Sequence, residues 1–342
     1  MRRFDFYQAH LDAVSRSFAL CIPQLPAPFR EQVALSYLLL RVLDTVEDAP
    51  FSDRLLQARQ FDAFRRFLRE KPSPERIEQF RGGFPAALTE GERALLADTD
   101  AFLDDAYDLQ PAVRAAMFDP IDRMAEGMAL YAKRPGGVRL VDLEDVVRYC
   151  CIVAGLVGEM LTQLWALGGG APPRMLFAYR FGLFLQKVNI LKDQAEDEAA
   201  GRFLVPHRRE LLASLRADAE GALSYLTSLP RSERGYRTFC AWSLMLGATS
   251  LAQLDGPRES RRAQTMALLA RTGEIAQDDE ALRRQFAALL PELPEVRGRP
   301  PLGKPEPAEW FVRMLGAPLH TAELVELGAL HAAPARGVAA NQ

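Results

Sequence analysis

The chain has 342 residues, of which 49% are hydrophobic and 25% charged, and its formal net charge is −3. This is an ordinary globular composition with enough apolar material for a large core. Acids and bases are interspersed, so no basic field could hold nucleic acid by counterion release, and nucleic acid is excluded as a partner.

Apolar spacing near three and four recurs along the whole chain, while strand-period alternation is hard to find, so an all-α fold is expected. The first 21 residues interrupt their apolar positions with Asp5, Asp12 and Arg16, which excludes a signal peptide. Pro23, Pro26 and Pro28 then precede an apolar helix that must stop near Pro50. A polar segment from about Lys71 to Glu92 reads as a surface loop. Helices are expected through Asp119 to Ala132 and, after a break at Pro135 to Gly137, from about Leu143 to Trp165. Pro172 and Pro173 precede a second apolar helix running towards Gly201, and further helices follow over Arg209–Leu229, Tyr236–Leu254 and Arg258–Leu290. A Pro-rich connector, Arg297 to Pro307, leads to a short Trp310–Leu315 segment and a frayed small-residue tail. One helical domain over 1–295 is the simplest division, with 296–342 as connector, short helix and tail.

Four cysteines (Cys21, Cys150, Cys151, Cys240) form no CxxC pair and read as buried thiols of a reducing cytoplasm. Four histidines lie far apart, with no HExxH spacing. The apolar stretches Val33–Leu43 and Ala241–Leu254 are too short or too polar to span a bilayer, which takes about twenty apolar residues. Membrane contact is therefore expected to be peripheral at most, from the cytoplasmic face.

Residues 44–48 read DTVED and residues 193–197 read DQAED. Acids at i, i+3 and i+4 share one helix face. Asp44, Glu47 and Asp48 end one apolar helix, and Asp193, Glu196 and Asp197 end the other. Crowded carboxylates beside interior helices take up protons or recruit a counter-ion. Oxygen ligands without histidine or thiolate favour Mg²⁺, which uses one or two carboxylates, waters and substrate phosphates. Tyr37 and Arg41 extend the first stripe, Gln186 and Asn189 the second. Arg16, Arg41, Lys192 and Arg202 lie on or beside these segments as candidate diphosphate partners. One reading is a cavity, acidic at its mouth and apolar below, suited to a diphosphate with a greasy tail. The other is a pair of solvated helix ends carrying ordinary surface acids.

SRSFAL (15–20), YLLLRVLDTVED (37–48), YCCIVAGLVG (149–158) and LFLQKVNILKDQAED (183–197), the last followed by GRFLVP (201–206), resemble, in order, the signature segments of the squalene/phytoene synthase family, in its squalene synthase branch. FCAWSLMLGATSL (239–251) resembles a fifth. The resemblance implies an isoprenoid synthase fold around a central cavity, in which both acid clusters hold Mg²⁺ against the diphosphates of two farnesyl diphosphate molecules. It implies head-to-head coupling through presqualene diphosphate, then reduction by NADPH to squalene, a sterol or hopanoid precursor. It also places Ser15, Arg16, Arg41, Asn189 and Arg202, with Gln186 and Lys192 alongside, at the diphosphates, and Tyr37 and Tyr149 near the reacting carbons, Tyr149 as proton acceptor. No strand precedes a GxGxxG, so NADPH would sit on the helical fold near Lys71–Glu92.

Lys192, Gln194 and Cys151 depart from residues common in relatives, without touching the acids. The C-terminal membrane anchor of eukaryotic members is not seen, which implies a bacterial-type form. The rivals are a non-reducing relative, making presqualene diphosphate, dehydrosqualene or phytoene, and a non-catalytic helical protein that binds prenyl lipids.

Overall fold

The structure, a computed structural model, describes residues 2–15, 17–135, 137–254, 262–295, 309–315 and 319–329. Helices α1 (Phe4–Val14) and α2 (Phe18–Cys21) lead into α3 (Phe29–Asp48), which begins directly after Pro28. It ends where Ala49, ahead of Pro50, turns extended, because the proline ring disfavours helical backbone in the preceding residue. Asp53 caps α4 (Arg54–Arg69) by accepting from the Leu55 amide. Then come α5 (Pro74–Gly82), α6 (Glu90–Ala97), α7 (Thr99–Tyr107) and the long α8 (Pro111–Ala132). Helix α9 (Leu143–Cys150) passes through a π-helical turn, Cys151–Gly155, into α10 (Leu156–Leu167). Helix α11 (Met175–Lys192) is followed by α12 (Gln194–Ala199), α13 (Arg208–Ser228), α14 (Arg234–Ala252), α15 (Arg262–Ile275) and α16 (Asp279–Leu289). The short α17 (Glu309–Leu315) and α18 (Thr321–Leu327) come last.

The expected all-α class holds: the described residues contain no strand, only one isolated bridge between Arg139 and Phe203. Helix α11 lies at the centre, against α10, α13, α14 and the π turn. It buries Leu176, Phe184 and Val188 among others, each such side chain contributing about 1.5–3 kcal/mol. A single apolar cluster runs from Tyr7 in α1 to Ala329 beyond α18. All four cysteines are free and buried within it.

Several sequence expectations need correction. The segment from Lys71 to Glu92 is not a bare loop: α5 buries Ile77 and Phe80, and the Thr89/Glu92 capping box starts α6. The expected helix over Arg258–Leu290 is two, because Asp278 caps a new start at α16; residues 258–261 lie outside the described residues. The second apolar helix does not run unbroken to Gly201 but kinks at Asp193. Part of the supposed frayed tail is α18, docked on the core; the connector Arg297–Pro307 and residues 330–342 lie outside the described residues. The longest apolar helical run is neither stretch weighed for membrane spanning but Leu143–Leu167, 25 residues and long enough to cross a bilayer. It packs instead as a core helix, and its charged residues Glu144, Asp145, Arg148 and Glu159 are all buried and ion-paired within the protein.

Candidate active site

The ends of α3 and α11 meet at the mouth of a cavity of about 550 Å³. All six cluster acids line it, together with Tyr37, Arg41, Tyr149, Gln186, Asn189, Lys192 and Arg202. Polar groups spaced along two separate helices thus converge on one opening. Asp197 is buried, Asp44, Glu47 and Asp193 are half-buried, and Asp48 and Glu196 reach solvent at the rim. Despite the kink, the Asp197 amide still donates to the Asp193 carbonyl at 2.9 Å, so the second cluster keeps helical spacing through the bend.

The first cluster occupies the last turn of α3, the negative end of the helix dipole, where each carboxylate is disfavoured by about 0.3–1 kcal/mol. Two arginines offset part of this. Arg41 donates to Asp44 at 2.9 Å, and Arg202 bridges the clusters by donating to Asp48 and, from Nε at 3.1 Å and Nη2 at 2.7 Å, to Asp197. Left-handed Gly201 (φ +80°) and the Arg202 amide bond to the Asp197 carbonyl set this bridge. Lys192 adds an ion pair to Asp193 at 3.3 Å.

Among the described residues that line the cavity, six carboxylates face three cations. Burial, then the neighbouring Asp44, pushes the Glu47 carboxyl up to about 7, and burial, then Asp193 and Glu196, pushes Asp197 up to about 6. Among the described residues no three acids, histidines or cysteines gather closely enough to hold a metal ion by themselves. An all-oxygen set that is short of positive charge and incomplete without further ligands fits Mg²⁺, which takes few carboxylates and fills its shell with water and phosphate oxygens.

Below the rim the wall is apolar. Phe18 packs on Tyr37 with ring centroids 5.3 Å apart, and Val153, Leu161, Phe181 and Leu185 continue inward. The floor phenols satisfy one another. Thr162 donates to the Gly158 carbonyl at 2.7 Å, so Tyr225 donates to Thr162 (2.9 Å) and Tyr236 to Tyr225 (2.6 Å). Close helix approach forms this wall: a Cβ on Gly158 would stand 2.3 Å from the Ala178 carbonyl oxygen, and one on Gly182 2.3 Å from that of Ala154.

On the wall, Tyr149 is 4% exposed and donates to Glu47 Oε1 at 3.3 Å. Burial, then the Glu47 charge, holds its phenol well above the usual range, so it stays protonated.

Ser15 is not among the lining residues. Its hydroxyl instead accepts from the Phe18 amide at 3.0 Å. Arg16 lies outside the described residues. Gln194 turns from the cavity to Glu198 (2.8 Å) and Arg208 (3.0 Å), and Cys151 opens the π turn. Sequence reading missed the wall residues Met124, Met128, Phe181, Leu185 and Tyr225, whose helical spacing is that of any core residue.

The family model described as squalene/phytoene synthase matches residues 11–285. The chain belongs to the squalene/phytoene synthase family. Relatives within or near it include squalene synthases of Schizosaccharomyces pombe, 32% identical over 277 residues (71% of this chain, 57% of the relative), and of Eremothecium gossypii, 32% identical over 280 residues (72% and 61%). The chain therefore spans about three fifths of the length of these curated relatives. A solved complex of TcSQS with the ligand E5700 superposes with a TM-score of 0.70 at 25% identity, covering 84% of this chain and 92% of that one. A dehydrosqualene synthase complex shares the fold at a TM-score of 0.55 and 19% identity, covering 79% and 95%. As a squalene/phytoene synthase family member, the chain has the isoprenoid synthase fold that its sequence motifs implied.

Proposed function

We propose that the protein is a magnesium-dependent squalene synthase that joins two farnesyl diphosphates head to head through presqualene diphosphate and reduces the product with NADPH. The observation that carries this reading is the meeting of two acid clusters at the mouth of one apolar cavity. The catalytic body is residues 1–295, with the later helices docked on it.

Asp44, Glu47, Asp48, Asp193, Glu196 and Asp197 would hold Mg²⁺, which supplies Lewis-acid stabilisation of the charge that develops on a departing diphosphate. Arg41, Lys192, Arg202, Gln186 and Asn189 line the same mouth and donate to phosphate oxygens, Arg202 by releasing part of its bridge between Asp48 and Asp197. The apolar and aromatic wall excludes water from the allylic cation, and its ring faces tolerate the charge. Tyr37 and Tyr149 flank the space between mouth and wall.

Tyr149 suits proton removal because its phenol is neutral and already donates to Glu47. Its oxygen accepts the proton lost from carbon on cyclopropane closure while its own proton passes to the Glu47 carboxylate it already faces. The NADPH site is assigned beside α5 and α6 on the family resemblance, with the nicotinamide reaching the cavity. The enzyme is assigned to the cytoplasm, with peripheral membrane contact for release of its hydrocarbon product.

Incubation with farnesyl diphosphate and Mg²⁺, with and without NADPH, tests the whole reading. Squalene is expected with NADPH, and presqualene diphosphate or products derived from it without. Identical products in both would assign the chain to the non-reducing relatives, and no diphosphate release at all would make it a prenyl-lipid binder.

A further inference from the structure

Helices α17 and α18 lie beyond residues 11–285, the part matched by the family model. Arginines from three core helices hold the carbonyl ends of this segment. Arg123 of α8 donates to the Leu315 carbonyl at 2.6 Å, Arg148 of α9 to Ala329 at 3.0 Å and Arg180 of α11 to Glu326 at 3.1 Å. Charge-assisted bonds to carbonyls at helix C-termini satisfy groups with no intrahelical partner.

The attachment converges on the residues around Tyr149. Trp310 of α17 meets the fully buried Tyr131 ring edge-on at 6.3 Å, and Tyr131 meets the Tyr149 ring edge-on at 5.1 Å. Tyr131 is held in turn by its hydroxyl bond to Asp145 (3.0 Å) and by the Arg134 guanidinium stacked 4.1 Å above it. Phe311, fully buried, lies 5.9 Å from the guanidinium of Arg148, the residue before Tyr149. Met314 packs over Gly127, where a Cβ would stand 3.0 Å from its sulfur and 2.5 Å from Ile152 of the π turn after Tyr149. The segment thus presses on the Tyr149 ring through Tyr131, and on its backbone through Arg148 and the π turn.

We propose that the described segments 309–315 and 319–329 are a positioning strap for Tyr149, with Trp310 and Tyr131 as the positioning residues that keep its hydroxyl on Glu47. This rests on the catalytic role proposed above for Tyr149, but the placement can be read without turnover. The test is full-length protein with 3-fluorotyrosine at position 149, followed by ¹⁹F NMR, alongside steady-state kinetics of unlabelled protein with farnesyl diphosphate and Mg²⁺. Trp310→Ala should move or broaden the position-149 resonance and lower kcat about tenfold, with KM within about twofold, the pattern of lost geometry rather than lost binding. Trp310→Phe should restore both. Val312→Ala, on the outward side of the same helix, should change neither.

An unmoved resonance in Trp310→Ala, or an equal effect of Val312→Ala, would overturn the proposal. If Trp310→Ala lowers the helical circular dichroism, Trp310→Leu, which keeps apolar bulk but no ring, decides by the same two readouts. Wild-type protein without turnover would defeat the functional reading alone, because the resonance would still report whether the strap positions Tyr149.

Discussion

The Tyr149 hydroxyl donates to Glu47 across 3.3 Å, joining the wall helix α9 to the last turn of α3. The contact pairs a phenol that burial keeps neutral with a carboxyl that burial and Asp44 raise, so Tyr149 rests as the donor and can give up its proton only as it takes one from carbon. Tyr149→Phe keeps the ring and its packing on Tyr131 but removes the relay. Formation of presqualene diphosphate should slow by about 10²-fold, measured in single-turnover experiments. A normal first step would remove Tyr149 from proton transfer.

Asp44→Asn and Asp193→Asn each take one charge from a cluster without changing shape. Turnover should fall by at least about 10³-fold while far-UV circular dichroism stays that of wild type, since metal-assisted ionisation depends on both clusters. The check is diphosphate release over a magnesium titration. Near-normal rates in both variants would contradict the assignment of these acids.

Arg202 joins the two clusters, through Asp48 and Asp197. Arg202→Gln should raise KM for farnesyl diphosphate about tenfold or more, and Arg202→Lys should recover only part of the loss, because a point charge lacks the planar fork. Full recovery by lysine would mean that charge alone matters there.

Away from the site, fully buried Arg237 donates to the carbonyls of Ala276 (2.8 Å) and Leu229 (2.6 Å) and to Asp279 (2.5 Å). Arg237→Met would leave those two carbonyls unpaired and Asp279 with Arg231 alone, and should destabilise by about 3 kcal/mol in urea unfolding. Burial raises the Asp279 pKa, but the bonds from Arg237 and Arg231 outweigh it and hold the carboxyl below its ordinary value. Its contribution is thus fully present above an unfolded pKa of about 3.9 and lost as pH falls through the lower folded value. Asp279→Asn should flatten the acid limb of the stability profile below about pH 4, and an unchanged limb would refute this linkage.

The acid clusters were legible because i, i+3, i+4 spacing at the end of an apolar helix is a local pattern, and the stripe positions Tyr37, Arg41, Gln186 and Asn189 extended it by the same periodicity. Their convergence on one mouth is long-range and became readable only through the joint order of five segments. The kink at Asp193 and the π turn after Cys150 leave no mark in periodicity. Helix α18 was missed because its short apolar face reads as tail until the arginines that hold it are in place. Ser15 lies off the lining residues, its hydroxyl accepting from the Phe18 amide, a local turn that no periodicity marks.

The surplus of carboxylates at the mouth also bears on folding. Before any ligand binds, self-repulsion at the rim opposes the native state, whereas in the unfolded chain the same acids separate and hydrate. On the proposed function, magnesium and diphosphate would recognise only the native arrangement and so act as folding partners. At about a hundred times the dissociation constant they should add about 2.7 kcal/mol to unfolding free energy and raise the melting temperature with ligand concentration. The stability of this protein in a cell would then track the supply of its own substrate.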